Sequence, residues 1–206
     1  MSGLSNAVFD RYDTPPGTTR AAEGLARRRF TVAEIEAFVE AGLISEDERF
    51  ELIGGEIVPI SPKGIRHKRL KMWLNEILIR NLPSAYGANP ETTFRLSEDT
   101  FLEPDFVVFD RASGLAGLNG ETCRLAIEIG VSSLRYDQGR KAAIYAAFGI
   151  RELWVVDGEN LTLRLFREPG PDGYGHVSDH GAGDRLTPER VPEFSMRLAD
   201  YESFEG

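Results

Sequence analysis

A single α/β domain, with a sheet of mixed direction flanked by helices, is the fold class this sequence predicts. Two segments carry apolar residues at helical spacing, and several short runs are rich in β-branched and aromatic residues. The two kinds interleave: from residue 65 onward the order reads helix, strand, strand, strand, helix, strand, as in a layered α/β sheet. With 206 residues, 41% of them hydrophobic, the chain is long enough for one well-buried core.

Residues 1–26 are rich in Gly, Pro, Thr and Ala and lack an apolar period, so they read as a flexible arm ahead of one domain over 27–206. Thr31 and Glu34 form a capping box at the start of the first helix, whose Ile35, Phe38 and Val39 share a face before Gly42 ends it. Phe50, Leu52 and Ile53, the pair Gly54-Gly55, then Ile57, Val58 and Ile60 spell a β-hairpin. This helix and hairpin form an N-terminal extension to the sheet. Beyond Pro62 and Gly64, the residues Leu70, Trp73, Leu74, Ile77 and Leu78 recur at helical spacing until Pro83. Thr92, Phe94 and Leu96 alternate as in a half-buried strand. FLEPDFVVFD (Phe101 to Asp110) reads as one strand with Pro104 near its start, and CRLAIEI (Cys123 to Ile129) as the next. A helix follows from Tyr136 to Phe148, closed by Gly149. LWVVD, the turn GEN and LTLRLF make a second hairpin, and the Gly-rich stretch from Pro169 to Gly183 reads as a surface loop.

Composition excludes several functions. The longest uncharged apolar stretch, AAIYAAFGI, is too short to span a membrane, which takes about 20 residues. The N-terminus has no basic start followed by an apolar run, so the expected location is the cytoplasm. Cys123 is the sole cysteine, which leaves no intrachain disulfide and no Cys-rich zinc site. A net charge of -9 argues against a protein that merely coats nucleic acid, since neutralising phosphates takes a basic face. It does not exclude an enzyme that sets divalent cations between its carboxylates and a phosphate.

Two carboxylates stand inside apolar strands. Side chains alternate across a sheet, so Asp105, Val107 and Phe109 share one face of their strand, and Arg124, Ala126 and Glu128 share one face of theirs. An unpaired carboxylate between Ile127 and Ile129 is costly to bury. A bound cation offsets that cost; so does a solvated strand end or a paired arginine. The following helix carries Gln138, Lys141 and Tyr145 on one side. Lys141 can serve this site or pair with Asp137 one turn away on the surface.

The segments RFELIGGEIVPISP, followed by His67, then EPDFVVFD, then LAIEIGVSSLRYDQGRKAAIYAAFGIRELWVVD, resemble the Uma-type restriction endonucleases, a bacterial branch of the PD-(D/E)XK nuclease superfamily. The resemblance runs from about Thr31 to Tyr201 and implies a restriction-endonuclease-like fold. It implies a metal-dependent endonuclease that hydrolyses phosphodiester bonds of nucleic acid, with DNA as the expected substrate. Asp105 and Glu128 correspond to the superfamily's metal-binding carboxylates, with the Ile129 carbonyl as a further oxygen ligand for Mg²⁺ or Mn²⁺. The usual lysine stands two positions after the glutamate; here that position is Gly130, and Lys141 takes the role from the next helix. His67, Glu51, Gln138 and Tyr145 become candidates to line the site or contact phosphate. Where the family usually has Ser-Pro-Ser, this chain has Val131-Ser132-Ser133. A homodimer is expected by analogy, because cutting both strands takes two sites. The main rival is a non-catalytic nucleic-acid-binding or regulatory module on the same fold. A two-carboxylate glycosidase is a weaker rival, since such clefts want aromatic platforms and only Trp73 and Trp154 are present, both at apolar positions.

Overall fold

The computed structural model describes residues 28–45 and 47–201; the arm over residues 1–26 lies outside them. The chain divides into two compact units, Met1–Pro62 with Thr93–Glu103, and Lys63–Thr92 with Pro104–Gly206.

In the smaller unit, α1 (Val32–Glu40) begins as the capping box dictates. Thr31 Oγ1 accepts from the Glu34 N–H at 3.2 Å, and Glu34 Oε2 accepts from the Thr31 N–H at 3.0 Å. Val32 and Ile35 then pack against Phe50, Leu52 and Phe101. The hairpin joins β1 (Phe50–Ile53) to β2 (Glu56–Pro59) through Gly54 and Gly55, with φ of 57° and 80°. A two-residue turn matched to the twist of its strands needs positive φ at both positions, which glycine adopts without strain. With β4 (Phe94–Arg95) and β5 (Phe101–Leu102), the sheet order is β2-β1-β5-β4.

The larger unit holds a six-stranded sheet in the order β10-β9-β8-β7-β6-β3. Its strands are β3 (Tyr86–Pro90), β6 (Phe106–Asp110), β7 (Cys123–Gly130), β8 (Glu152–Asp157), β9 (Thr162–Gly170) and β10 (Gly173–His180). Only β7 and β8 pair in parallel, so the sheet is mixed, as expected. The helix α2 (Ile65–Asn81) lays Leu70, Trp73, Leu74 and Leu78 on Phe106, Val108, Leu125, Ile127 and Ile129. Trp154 and the chain's last apolar residues, Val191, Phe194 and Leu198, complete this core. Alternation then sends Val107, Ala126 and Glu128 to the other face, while Asp105 stands in the bend just ahead of β6.

Three strand expectations change. FLEPDFVVFD is two strands, β5 and β6, in different sheets, because Pro104 has no N–H to continue a ladder. The stretch from Pro169 to Gly183 is not a surface loop: it holds the end of β9 and all of β10, paired from Gly170↔Gly173 to Leu163↔His180. As an edge strand without a buried residue, β10 has no apolar alternation to announce it. The strand β3, with sequence YGANP, was not foreseen because its residues are poor strand formers. Gly87 fits there because the Phe109 ring covers it, and an added Cβ would lie 2.9 Å from that ring.

Cys123 opens β7 fully buried, and burial pushes its thiol up to about 12. A thiol this far from ionising is a poor nucleophile. A thiol-disulfide reagent at pH 8 is therefore expected to leave the native protein unlabelled and to label one thiol per chain in denaturant. Rapid labelling of the native protein would contradict the burial.

Candidate active site

Register brings the two carboxylates together. β6 and β7 pair antiparallel through Phe106↔Ile127 and Val107↔Ala126; Asp105 precedes Phe106 just as Glu128 follows Ile127, and Asp105 Oδ2 accepts from the N–H of Ile129, the neighbour of Glu128. Both carboxylates are almost fully buried, at 4% and 2% exposure.

Each has dedicated partners. Asp105 Oδ2 accepts from the Ile129 N–H at 2.8 Å, and His67 Nε2 lies 3.1 Å from both Asp105 oxygens. Lys71, one turn beyond His67 on α2, places Nζ 3.6 Å from Asp105 Oδ1 and 2.8 Å from Glu91 Oε1. Burial alone would raise the Asp105 pKa. The hydrogen bond and charge from His67, with Lys63 and Lys71, outweigh it and hold the carboxyl at about 2, so Asp105 is ionised at neutral pH. Glu128 Oε1 accepts from the Tyr145 hydroxyl at 2.6 Å and lies 2.8 Å from Lys141 Nζ.

The expected helix from Tyr136 to Phe148 has a less regular start. It comprises α3 (Leu134–Tyr136), a π turn over Asp137–Lys141, and α4 (Ala142–Ala147). A π turn widens the helix locally and such turns recur at functional sites. Here Lys141 and Asp137 are both buried, at 5% and 4% exposure, so a surface pair between them is ruled out. Lys141 goes to Glu128. Asp137 accepts from Ser133 Oγ at 2.7 Å, and burial, partly opposed by that bond, Lys141 and Lys63, raises its pKa.

Gly130, two positions after Glu128, is sterically closed. An added Cβ would sit 2.7 Å from Leu134 Cα and 3.0 Å from Leu134 Cβ, as the chain turns from β7 into α3. No side chain fits without moving backbone.

The structure thus gathers Asp105, Glu128, Lys141, His67, Tyr145 and the Ile129 N–H. Gln138 Oε1 accepts from Arg164 at 3.3 Å, and Glu51, in the smaller unit, accepts from the Glu103 N–H at 3.0 Å. Lys71 and Glu91 are polar residues near the carboxylates that the sequence did not single out, and Asp137 entered only as a surface partner for Lys141. Lys71 was accessible through its i, i+4 spacing from His67; Glu91, with φ of 49°, has no local signal.

A hard divalent cation suits this donor set on chemistry. Asp105 and Glu128 supply carboxylate oxygens in a buried setting, and His67 Nδ1 is buried without a hydrogen-bond partner among the described residues. No group of three or more His, Cys, Asp or Glu is placed to hold a metal among those residues. A cation here would draw its other ligands from backbone, water and substrate oxygens, as Mg²⁺ commonly does. Glu152 is another deeply buried glutamate. Glu152 is satisfied by Trp154 Nε1 at 2.7 Å, Arg167 at 2.9 Å and the Glu189 N–H at 2.7 Å, the marks of a structural carboxylate.

A mixed sheet carrying an Asp just ahead of one strand and a Glu on its neighbour, with a lysine from the next helix, is a restriction-endonuclease-like α/β fold. The chain belongs to the Uma2 family, described as "Putative restriction endonuclease", whose profile matches residues 35–199. A solved structure with this fold is that of a "putative nuclease belonging to DUF820" from Anabaena variabilis. It is 18% identical with a TM-score of 0.61, over 85% of this chain and 98% of that one. No curated protein matches the chain in sequence. No helix among the described residues is long and apolar enough to cross a membrane.

Proposed function

We propose that this protein is a Mg²⁺- or Mn²⁺-dependent endonuclease that hydrolyses phosphodiester bonds of DNA. The observation that carries the reading is the two buried carboxylates Asp105 and Glu128, linked by the Ile129 N–H that Asp105 accepts, with Lys141 Nζ 2.8 Å from Glu128 Oε1. Family membership and the nuclease-like neighbour support it.

Asp105, Glu128 and the Ile129 carbonyl would hold the cation, which supplies Lewis acidity and a water of lowered pKa. Asp105 is kept ionised by His67 and fixed by the Ile129 N–H, so its oxygens need little reorganisation to act as ligands. Tyr145 fixes the rotamer of Glu128. Lys141 sits where it can hold the attacking water and offset charge that builds on the phosphate oxygens. His67 and Lys71 add cationic or hydrogen-bonding groups near Asp105, which eases approach of a polyanion to an acidic protein.

The test is cleavage of mixed linear and supercoiled DNA and of RNA, with Mg²⁺, with Mn²⁺ and with chelator. Wild type should cut DNA only with metal, and Asp105→Asn should cut at least about 10²-fold more slowly, the scale of a lost electrostatic catalytic group. Metal binding without cleavage of any nucleic acid would favour the non-catalytic module instead.

A further inference from the structure

We infer that Asp137 is a further catalytic residue of this site, whose Oδ1 takes the proton of the attacking water while Lys141 holds that water. The inference rests on the nuclease reading and supplies a step that it leaves open, since hydrolysis must send the water's proton to some acceptor. The groups already placed are engaged. Lys141, 2.8 Å from Glu128 Oε1, rests as an ammonium without a lone pair. Asp105 and Glu128 are committed as cation ligands, the first also to His67 and the Ile129 N–H, the second to Tyr145 and Lys141. His67 gives Nε2 to Asp105, and its Nδ1 is sealed from water.

Asp137 is bonded differently from the structural carboxylates. Glu152 and Asp157, also buried, accept hydrogen bonds on both oxygens. Asp137 accepts on one, where Ser133 Oγ donates to Oδ2 at 2.7 Å. Its Oδ1 accepts from no described residue, and it is not sealed from water. A carboxylate this buried with one oxygen fixed and the other open is poised for a visiting donor. The crossover between the parallel strands β7 and β8 puts it there. The chain leaves β7 at Gly130, turns tightly against Leu134 and runs back along the sheet, so Asp137 lies one turn nearer the end of β7 than Lys141. The charges facing it are Lys63, from the loop ahead of α2, Lys141 on its own turn, and Asp105 ahead of β6. Two of the three belong to the site. Burial, with the Asp105 charge, lifts the carboxyl above its ordinary value, which makes it a stronger base than a solvated aspartate. In the step, the water's O–H bond breaks and its proton passes to Asp137 Oδ1 as its oxygen bonds to phosphorus. The P–O bond to the leaving strand breaks and that oxygen takes a proton from bulk water. Asp137 returns its own proton to the hydroxide left behind.

The experiment follows wild type, Asp137→Asn and Ser133→Ala by single-turnover DNA cleavage across pH with saturating Mg²⁺, and by melting temperature with and without Mg²⁺. Wild-type cleavage should rise with pH and level off once Asp137 is ionised. Asp137→Asn keeps the shape and the Ser133 contact, so it should fold and keep the rise in melting temperature that Mg²⁺ gives. It should cut at least about 10²-fold more slowly at neutral pH, with a rate that goes on climbing as hydroxide replaces the lost base. Ser133→Ala removes a bond that favours the charged carboxylate and should move the midpoint of the profile to higher pH. Without metal, a raised carboxyl makes wild type lose stability as pH climbs from the ordinary carboxylate value through the raised one. Asp137→Asn has no such loss, so its melting temperature should gain on wild type across that window. An Asp137→Asn variant that cuts as fast as wild type overturns the assignment. So does a slow variant whose pH profile parallels wild type, or one that has lost the Mg²⁺ response, because Asp137 then acts through the fold or the cation. A wild type that cuts no nucleic acid brings down the nuclease reading as well, whereas the other failures leave that reading standing.

Discussion

Replacing Lys141 by alanine is expected to lower Mg²⁺-dependent cleavage of DNA by at least about 10²-fold, the usual scale for one transition-state donor. Its Nζ is 2.8 Å from Glu128, so its loss is felt twice. Without metal, the variant leaves a buried carboxylate that keeps the Tyr145 hydroxyl but loses its ammonium, and breaking such a pair costs about 3–5 kcal/mol of stability. With saturating Mg²⁺ much of that loss should return, because the cation compensates Glu128 directly. Lys141→Arg should not rescue cleavage fully: a planar guanidinium is larger than an ammonium and never gives up its proton. Melting temperatures with and without Mg²⁺, read beside single-turnover cleavage rates, separate the two roles. Recovery of stability together with wild-type cleavage by Lys141→Ala would make Lys141 a structural counter-ion only.

Glu128→Gln is expected to abolish the rise in melting temperature that Mg²⁺ or Mn²⁺ gives the wild type. A ligand bound only by the folded state stabilises it by about 2.7 kcal/mol at one hundred times its dissociation constant, so the wild-type shift is large enough to measure. Two neighbouring carboxylates alone would suggest that neutralising one relieves repulsion in the metal-free protein. Lys141 reverses that sign, because a neutral amide leaves its buried ammonium without a counter-charge. The variant should therefore melt lower than wild type without metal and gain nothing from adding it. A metal response equal to wild type in Glu128→Gln would move the cation away from Glu128.

Much of this was legible in the chain. Asp105 and Glu128 stand out because a carboxylate among isoleucines and valines needs a reason, and strand alternation put each on a definite face. That they come together is a matter of register, which follows from pairings no short window contains. The helices announced themselves through Thr31, Gly64 and Pro83. The edge strands β3 and β10 did not, since strands with little buried area owe their pairing to a neighbour rather than to their own composition. Lys141 was legible as a candidate on its helix, but not the π turn that buries it beside Asp137, because helical phase is counted on the assumption of regular turns. Glu91 meets Lys71 from just past the end of β3, a strand that the sequence did not betray.

The closed space at Gly130 divides the site's inheritance between two elements. In the usual pattern one strand delivers both anion and cation, and their separation is set by two residues of extended backbone. Here the strand carries only the anion, and the turn against Leu134 forbids anything more at that point. The cation arrives on a helix whose start can lengthen, shorten or rewind without disturbing the sheet. Linear spacing between the two charges can thus change without moving the point in the fold where they meet. A search for this kind of site by a short pattern will pass over chains that a comparison of folds would gather.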